Sequence, residues 1–526
     1  MNLLFVLMPL LLQSGIIKES FRIAEAEPRH HQVHLRAAMA SDGRFAVAWV
    51  DSLQLPDHFE LDIFIRFFDR EGNPLNDAYK ITKLMDTTTW IYHPCLEMDS
   101  LGNAALIWAD NRAWSGEDTG YIRFQSFGPD GSPLIPAQTL YDIGLGPYSR
   151  IGLSLANNGE FAVAVGMRFP ERGYCIGVQR FDLDGVPIPP PFPAHDSLPD
   201  SLPGHFTYPQ VSLNDAGDIV VTWLHFIDTP HMFPCFQVFD AQDESILPWE
   251  PLGHRLDDGG EECGACRPEP HWLDNDRFVV FYSDYCAPRP TVFIPVLGRV
   301  FSNRGLTRHP IRTVMWGDST GVVSNYRGSF RTAVLPNDSF AYTHTRSYYD
   351  YPDTSNPWKP RTWEHGAGFL GEVINNEPTR RTNLFEYTPA WGADTVNSNF
   401  GNWTHVQPSA VACCDDRIVW VYSRLNTDTI FEAFAIITDW DMGVGVVESP
   451  IQTESPIRLS ASLNRLSYDV PDEASLTLYS SDGRRVLTET IKGEGIWQAP
   501  KLPSGVYFAR VKDNSASARA KLVILH

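Results

Sequence analysis

Short stretches of alternating apolar and polar residues, each closed by a Gly, Asp or Asn turn, occupy most of this chain. The segment FAVAWVDS (45–52) returns in degenerate form as AALIWADN (104–111), FAVAVGMR (161–168), IVVTWLHF (219–226), FVVFYSDY (278–285), FAYTHTRS (340–347) and IVWVYSRL (418–425). Anchored on the fifth residue (Trp49, Trp108, Val165, Trp223, Tyr282, His344 and Tyr422), successive units are 59, 57, 58, 59, 62 and 78 residues apart. A turn such as SDGR, NNGE or NDAG precedes each anchor, and an alternating strand such as QVSL (210–213) precedes that turn. A third strand follows, such as DIFIRFFD (62–69), then a tight REGNP, PDGSP or LDGVP turn and a fourth strand such as DAYKIT (77–82). Period-two alternation with such turns predicts antiparallel hairpins.

Four antiparallel strands repeated seven times predict an all-β fold, a seven-bladed β-propeller over residues 16–445. The seventh unit supplies only three strands, so ESFRIAEA (19–26), which resembles DAYKIT, is expected to complete blade seven; VGVVESPI (444–451) is the other donor. A closed ring leaves no free edge, and a monomer is expected.

The repeat stops near Ser455, past a linker at 446–455. Residues 456–526 alternate strands with Asp-Gly, Gly-Glu-Gly and Pro-Ser-Gly turns, which predicts a small antiparallel β-sandwich. Its LYSSDGRRV, LPSGVYFARV and terminal KLVIL resemble the C-terminal sorting domain of the bacterial type IX secretion system, although SPIRLSASLN stands where that family opens with Tyr-Pro-Asn-Pro. The resemblance implies type IX-like secretion machinery as a partner, export across two membranes, and release or attachment at the cell surface. MNLLFVLMPLLLQSG (1–15) fits it: a ten-residue apolar run followed by small polar residues has the shape of a signal peptide, without the usual basic start. The run is too short to span a bilayer, so no integral membrane protein is expected. The propeller part loosely resembles secreted bacterial repeat proteins.

Charge narrows the partners. The 526 residues carry 42 Lys and Arg against 64 Asp and Glu, a net charge of −22. The excess lies in the propeller, because residues 456–526 are net +3. So acidic a chain lacks the basic footprint of a nucleic-acid binder.

The eight cysteines permit up to four disulfides in an oxidising compartment. CGAC (263–266) with Cys286 is read as a disulfide group of Cys263, Cys266 and Cys286, with free thiols or zinc as the other readings.

The 2–3 loops and inter-blade links are long and share one face, where a rigid scaffold carries binding. Fifteen residues before each anchor stand His34, His93, Arg150, Tyr208, Arg267, Ser329 and Gln407, expected around the channel mouth. Two residues after each anchor stand Asp51, Asp110, Met167, His225, Asp284, Arg346 and Arg424. Convergent Arg, His and Tyr beside carboxylates suit an anionic sugar or a peptide terminus; polar strand ends meeting water are the plain alternative. The long blade-six loop (347–369) adds Tyr348, Tyr349, Tyr351, Trp358 and Trp363, which either stack on sugars or pin the loop.

No catalytic signature and no cofactor motif stands out. His30, His31, His34 and His93 suit either a metal in the channel or solvent. Asp182-x-Asp184-Gly185 and Asp439-x-Asp441-x-Gly443 have the look of calcium loops, at turns where Asp and Gly are expected anyway. The sequence thus predicts an exported, non-catalytic binding module for an extracellular glycan or protein. The alternative is a secreted polysaccharide lyase or glycoside hydrolase acting at the channel mouth.

Overall fold

The computed structural model describes residues 15–55, 59–81, 90–111, 120–143, 151–169, 173–188, 190–194, 205–228, 231–252, 265–284, 296–315, 322–324, 330–350, 361–382, 385–386, 391–392, 406–426, 430–441, 458–462, 465–480, 485–498, 502–503, 505–512 and 517–524. The chain divides into two compact units, Met1–Gly443 and Val444–His526. Among the described residues there is no helix long and apolar enough to cross a membrane.

The first unit is a seven-bladed β-propeller of antiparallel sheets, each entered by its inner strand. Blade one runs His30–Met39, Phe45–Gln54, Phe59–Phe68 and Tyr79–Lys80. Each repeat anchor lies on the second strand of its blade and faces the preceding blade, because alternate residues of that strand face opposite seams. Phe45, Val47 and Trp49 pack on blade seven through Val419 and Val421, while Ala46 and Ala48 pack on blade two through Leu106 and Trp108. The other five seams each hold one buried apolar cluster of the same kind.

Ring closure uses the beginning of the chain. Ile16–Arg22 is the outer strand of blade seven, pairing antiparallel with Phe431–Thr438 through Phe21↔Ala435 and Arg22↔Phe434. The paired strand begins three residues earlier than the ESFRIAEA segment, and the Gly15 carbonyl already accepts from Asp439 N–H at 2.8 Å. The blade seven–blade one seam is tied by buried polar bonds. Ser423 Oγ donates to the Gln32 carbonyl at 2.8 Å, and Gln32 Oε1 accepts from Ala433 N–H at 2.8 Å.

Aspartates organise the turn face. Asp69, Asp99 and Asp240 each accept two backbone N–H groups of their own turn through Oδ1. Asp182 does the same for Asp184 and Val186, so the calcium-like spacing is accounted for by turn capping. Arginines stitch neighbouring blades there: buried Arg180 bonds Asp243 at 2.6 Å and the Gly217 carbonyl at 2.6 Å.

Blade six departs from the expected irregular loop. Ser339–Asp350 pairs with Arg361–Ile374 through to Asp350↔Arg361, so both flanks of the 347–369 segment form one long hairpin. The second unit is built from one five-stranded antiparallel sheet. Its longest strand, Arg465–Ser480, breaks register between Val470 and Glu473, and the strands enclose one core that includes Leu466, Leu476, Val511 and Ile524.

Gln32→Ala is expected to lower stability by about 1–3 kcal/mol, because it leaves the buried Ala433 N–H without an acceptor. Exposed Asn73→Ala is expected to stay within about 0.5 kcal/mol of the parent. Chemical denaturation of both variants measures this, and equal midpoints would contradict the seam's role.

Candidate functional site

The innermost strands converge on an axial cavity of about 300 Å³, lined from all seven blades. Its walls are set by a repeated irregularity. The inner strands break register at His34–Leu35, His93–Pro94, Tyr208–Pro209, Arg267–Pro268 and Ser409. Proline has no N–H for the ladder, so an X-Pro pair inside a strand favours a bulge, which bends the strand and re-aims its side chains. His34 and Tyr208 sit at φ +55° and +57° in these bulges, a strained conformation for residues other than glycine.

Polar groups line the channel just past the bulges. Arg36, Cys95, Gln210, Glu269 and Arg331 stand two residues on, and Glu97, Ser154, Ser212 and His271 two further. Gly152 occupies this level in blade three, where an added Cβ would lie 2.8 Å from the Gln210 Cα, so only glycine lets the two inner strands approach. Serines tie the seams here: Ser154 Oγ accepts from Leu213 N–H at 2.9 Å, and Ser212 Oγ from Trp272 N–H at 3.3 Å.

Blades five and six share a buried polar network. Glu269 accepts from Arg331 Nη1 at 2.6 Å, and from Thr332 N–H at 3.0 Å and Oγ1 at 2.9 Å. The Thr332 hydroxyl also lies 2.7 Å from His271 Nε2. Burial drives the His271 imidazole down to about 4 against the opposing pull of Glu269, so the ring is neutral at pH 7. Burial pushes the Glu97 carboxyl up to about 8, so it stays protonated at neutral pH. The Cys95 thiol is also raised by burial, against the lowering effect of the Arg36 and Arg331 guanidiniums. Its Sγ donates to the Ile151 carbonyl at 3.2 Å.

The residues expected from sequence are distributed unevenly. Tyr208 lines the cavity, and His34 sits at its bulge on the mouth side of Arg36. His93 and Arg267 occupy the equivalent backbone positions in blades two and five. Asp110 pairs with Ile91 and Tyr121, and Asp284 with Ala265, at the far ends of their strands. Arg346, Tyr349 and Trp363 lie along the blade-six hairpin, opposite His365, Thr362 and Tyr348. Arg150 and Trp358 lie outside the described residues, as do Cys263 and Cys286; Cys266 is placed by its backbone pairing with Ser283.

Three members of the second ring have packing roles instead. Met167 is buried over Gly177, buried His225 meets Trp249 edge-to-face at 6.0 Å, and the Arg424 guanidinium lies 4.5 Å over the Phe434 ring. Asp51 is buried against His30 Nδ1, and His31 Nδ1 accepts from Phe431 N–H at 3.4 Å, so both histidines are engaged at the closing seam. Among the described residues no group of three His, Cys, Asp or Glu is placed to hold a metal. Among the described residues Cys413 and Cys414 are free thiols, which removes the four-disulfide possibility.

The deeper polar ring escaped the sequence reading, which stopped at the mouth. Part of the signal was present as His-Pro, Tyr-Pro, Arg-Pro and Gln-Pro at 93, 208, 267 and 407, at or beside the bulges of blades two, four, five and seven; blade one bulges at His34–Leu35 without a proline.

No family model matches the chain, and no curated protein does. Among solved structures it is similar to a protein of unknown function from Dyadobacter fermentans, with 11% identity over 80% of this chain and 98% of the other and a TM-score of 0.41. An α-L-arabinanase from Penicillium chrysogenum in complex with arabinobiose gives 10% identity, 82% and 100% coverage, and a TM-score of 0.41. An α-L-arabinofuranosidase from Fusarium graminearum with arabinobiose gives 10%, 80% and 97%, and 0.38. These likenesses assign no activity to this chain.

The two shifted groups predict opposite limbs of the stability profile. Glu97 is raised on folding, so its contribution is complete below about 4.5 and is lost as pH rises through about 8. His271 is lowered, so its contribution is present above about 6.5 and is lost as pH falls through about 4. Thermal melts from pH 4 to 9 are expected to lose the alkaline limb's decline in Glu97→Gln and to soften the acid limb in His271→Asn. Limbs identical to the parent's would contradict these assignments.

Proposed function

We propose that the protein is an exported, carbohydrate-active propeller that cleaves glycans, with the axial cavity as its sugar site. One observation carries the reading: a single polar cavity holds a protonated carboxyl, Glu97, together with an ion-paired carboxylate, Glu269. Two carboxyl groups whose environments differ are what glycoside hydrolysis uses, one to protonate the leaving oxygen and one to offset positive charge developing on the sugar. In this role Glu97 is the general acid. Glu269, fixed by Arg331 and Thr332, supplies the negative charge. A volume of about 300 Å³ is at the lower end of ligand cavities.

Holding a glycan without cleaving it is the second reading. The blade-six hairpin favours it, since it carries Tyr348, Tyr349 and Trp363 on a strand pair that runs on to Asp350↔Arg361, longer than the other such pairs among the described residues. In either form the second unit acts as a type IX-like sorting domain that delivers the propeller to the cell surface or medium, a role supported by its LYSSDGRRV and LPSGVYFARV segments.

Incubating the full-length protein with a polysaccharide panel, scored for retention and for new reducing ends, tests the reading. Release of ends is expected, declining above about pH 8 as Glu97 ionises. Glu97→Gln is expected to reduce release by about 10²–10⁴-fold while retention persists. Retention without new ends would establish the holding reading, and neither signal would overturn both.

A further inference from the structure

The network that joins blades five and six fixes more than the place of a carboxylate; it also fixes which nitrogen of His271 carries a proton. Glu269 is ion-paired with Arg331 at 2.6 Å, and an ionised carboxylate only accepts hydrogen bonds. Its Oε2 lies 2.9 Å from Thr332 Oγ1, so the single hydroxyl proton of Thr332 points at Glu269. Thr332 N–H donates to the same oxygen at 3.0 Å, which holds this geometry from the backbone. With its proton committed, Thr332 Oγ1 accepts from His271 Nε2–H at 2.7 Å. At pH 7.5 an ordinary imidazole, with a pKa of about 6.5, already lacks a second proton. Burial disfavours that proton further; Glu269 opposes this, with its charge offset by Arg331. Nδ1 is then a bare acceptor. It has no hydrogen-bond partner among the described residues, and His271 lines the axial cavity.

We infer that His271 Nδ1 is a ligand contact of the cavity, the acceptor for one hydroxyl of the bound sugar, and that Thr332 positions it by handing the charge of Glu269 on through its own hydroxyl. The inference rests on the proposed glycan site and adds a specificity-determining contact to it. His271 stands two residues past Glu269 on the inner strand Ala265–Trp272, so both side chains fall on the face that lines the axis. The chain carboxylate, hydroxyl, Nε2–H polarises in one direction and strengthens Nδ1 as an acceptor. An acceptor that has no proton to give distinguishes a sugar hydroxyl from a hydrogen or a methyl ether at the same carbon. A site built to bond a hydroxyl rejects the analogue that lacks it, because its own polar group is then left unpaired. The bond between His271 and Thr332 also ties two blades together, but that role alone uses Nε2 and leaves Nδ1 with nothing to do.

The test reads the His271 ring in long-range proton–nitrogen NMR spectra of the full-length protein at pH 7.5, with His271→Asn identifying its signals. The parent is expected to carry a proton on Nε2 and none on Nδ1. Thr332→Val, which keeps the shape and loses the hydroxyl, is expected to move the ring toward a mixture of the two tautomers. Thr332→Ser is expected to restore the parent form, which separates loss of the hydroxyl from a packing defect. A panel of cello-, xylo-, arabino- and galacturono-oligosaccharides is then added. An oligosaccharide that binds is expected to move the Nδ1 signal while Nε2 keeps its proton, and to bind Thr332→Val about three- to tenfold more weakly. Three results would overturn the inference and leave the glycan reading standing: a proton on Nδ1 in the parent, a parent tautomer that persists in Thr332→Val, or oligosaccharide binding that leaves the Nδ1 signal in place. Binding to no member of the panel would overturn both.

Discussion

A four-stranded sheet that is apolar on both faces cannot be buried alone; it must lie between two others, and the last must meet the first. That constraint organises the first unit. Every second strand places alternate residues on opposite seams, so Trp49 is buried against blade seven while Ala48 packs toward blade two. No blade can therefore be stable without both neighbours. The ring becomes one cooperative body only when Ile16–Arg22 joins blade seven, which makes the closing seam the place where the whole domain is secured.

Closure also creates the site. Bringing seven inner strands to one axis forces them close together, as at Gly152, and the polar groups they carry share one cavity. Enclosure shifts the ionisable groups: with solvent reduced, Glu97 keeps its proton and His271 gives its proton up. Glu269, by contrast, is held by an arginine and two threonine donors. Different protonation states thus coexist in one cavity because Glu269 receives charge-matched donors from the walls, while burial dominates at Glu97 and His271.

Much of the architecture was legible in the sequence because burial on two faces imposes a period. The anchors Trp49, Trp223, Tyr282 and Tyr422 are all fully buried, and the Asp-Gly turns fall where the carboxylates cap backbone amides. The axial residues obey no such period. Arg36, Cys95, Gly152, Gln210, Glu269 and Arg331 occupy equivalent positions with unrelated chemistry, so a repeat comparison passes over them. Which positions face the axis depends on the bulges, and those are marked by X-Pro pairs in four blades and by no proline at His34–Leu35 in blade one. The blade-six segment misled for another reason: its Pro and Asn residues at 352, 356, 357 and 360 suggest a loop, while the Ser-Tyr-Tyr-Asp and Arg-Thr-Trp-Glu flanks form a strand pair. Met167 and His225, placed by spacing in the ring two residues after each anchor, are buried in packing because spacing along a strand does not report depth.

The most direct measurement is a crystal structure of the full-length protein grown with an oligosaccharide of a glycan that it retains or cleaves. The account predicts seven blades closed by Ile16–Arg22 and a sugar in the axial cavity beside Glu97 and Glu269. A different blade number, a channel filled by side chains, or a sugar bound only along the blade-six hairpin would contradict it.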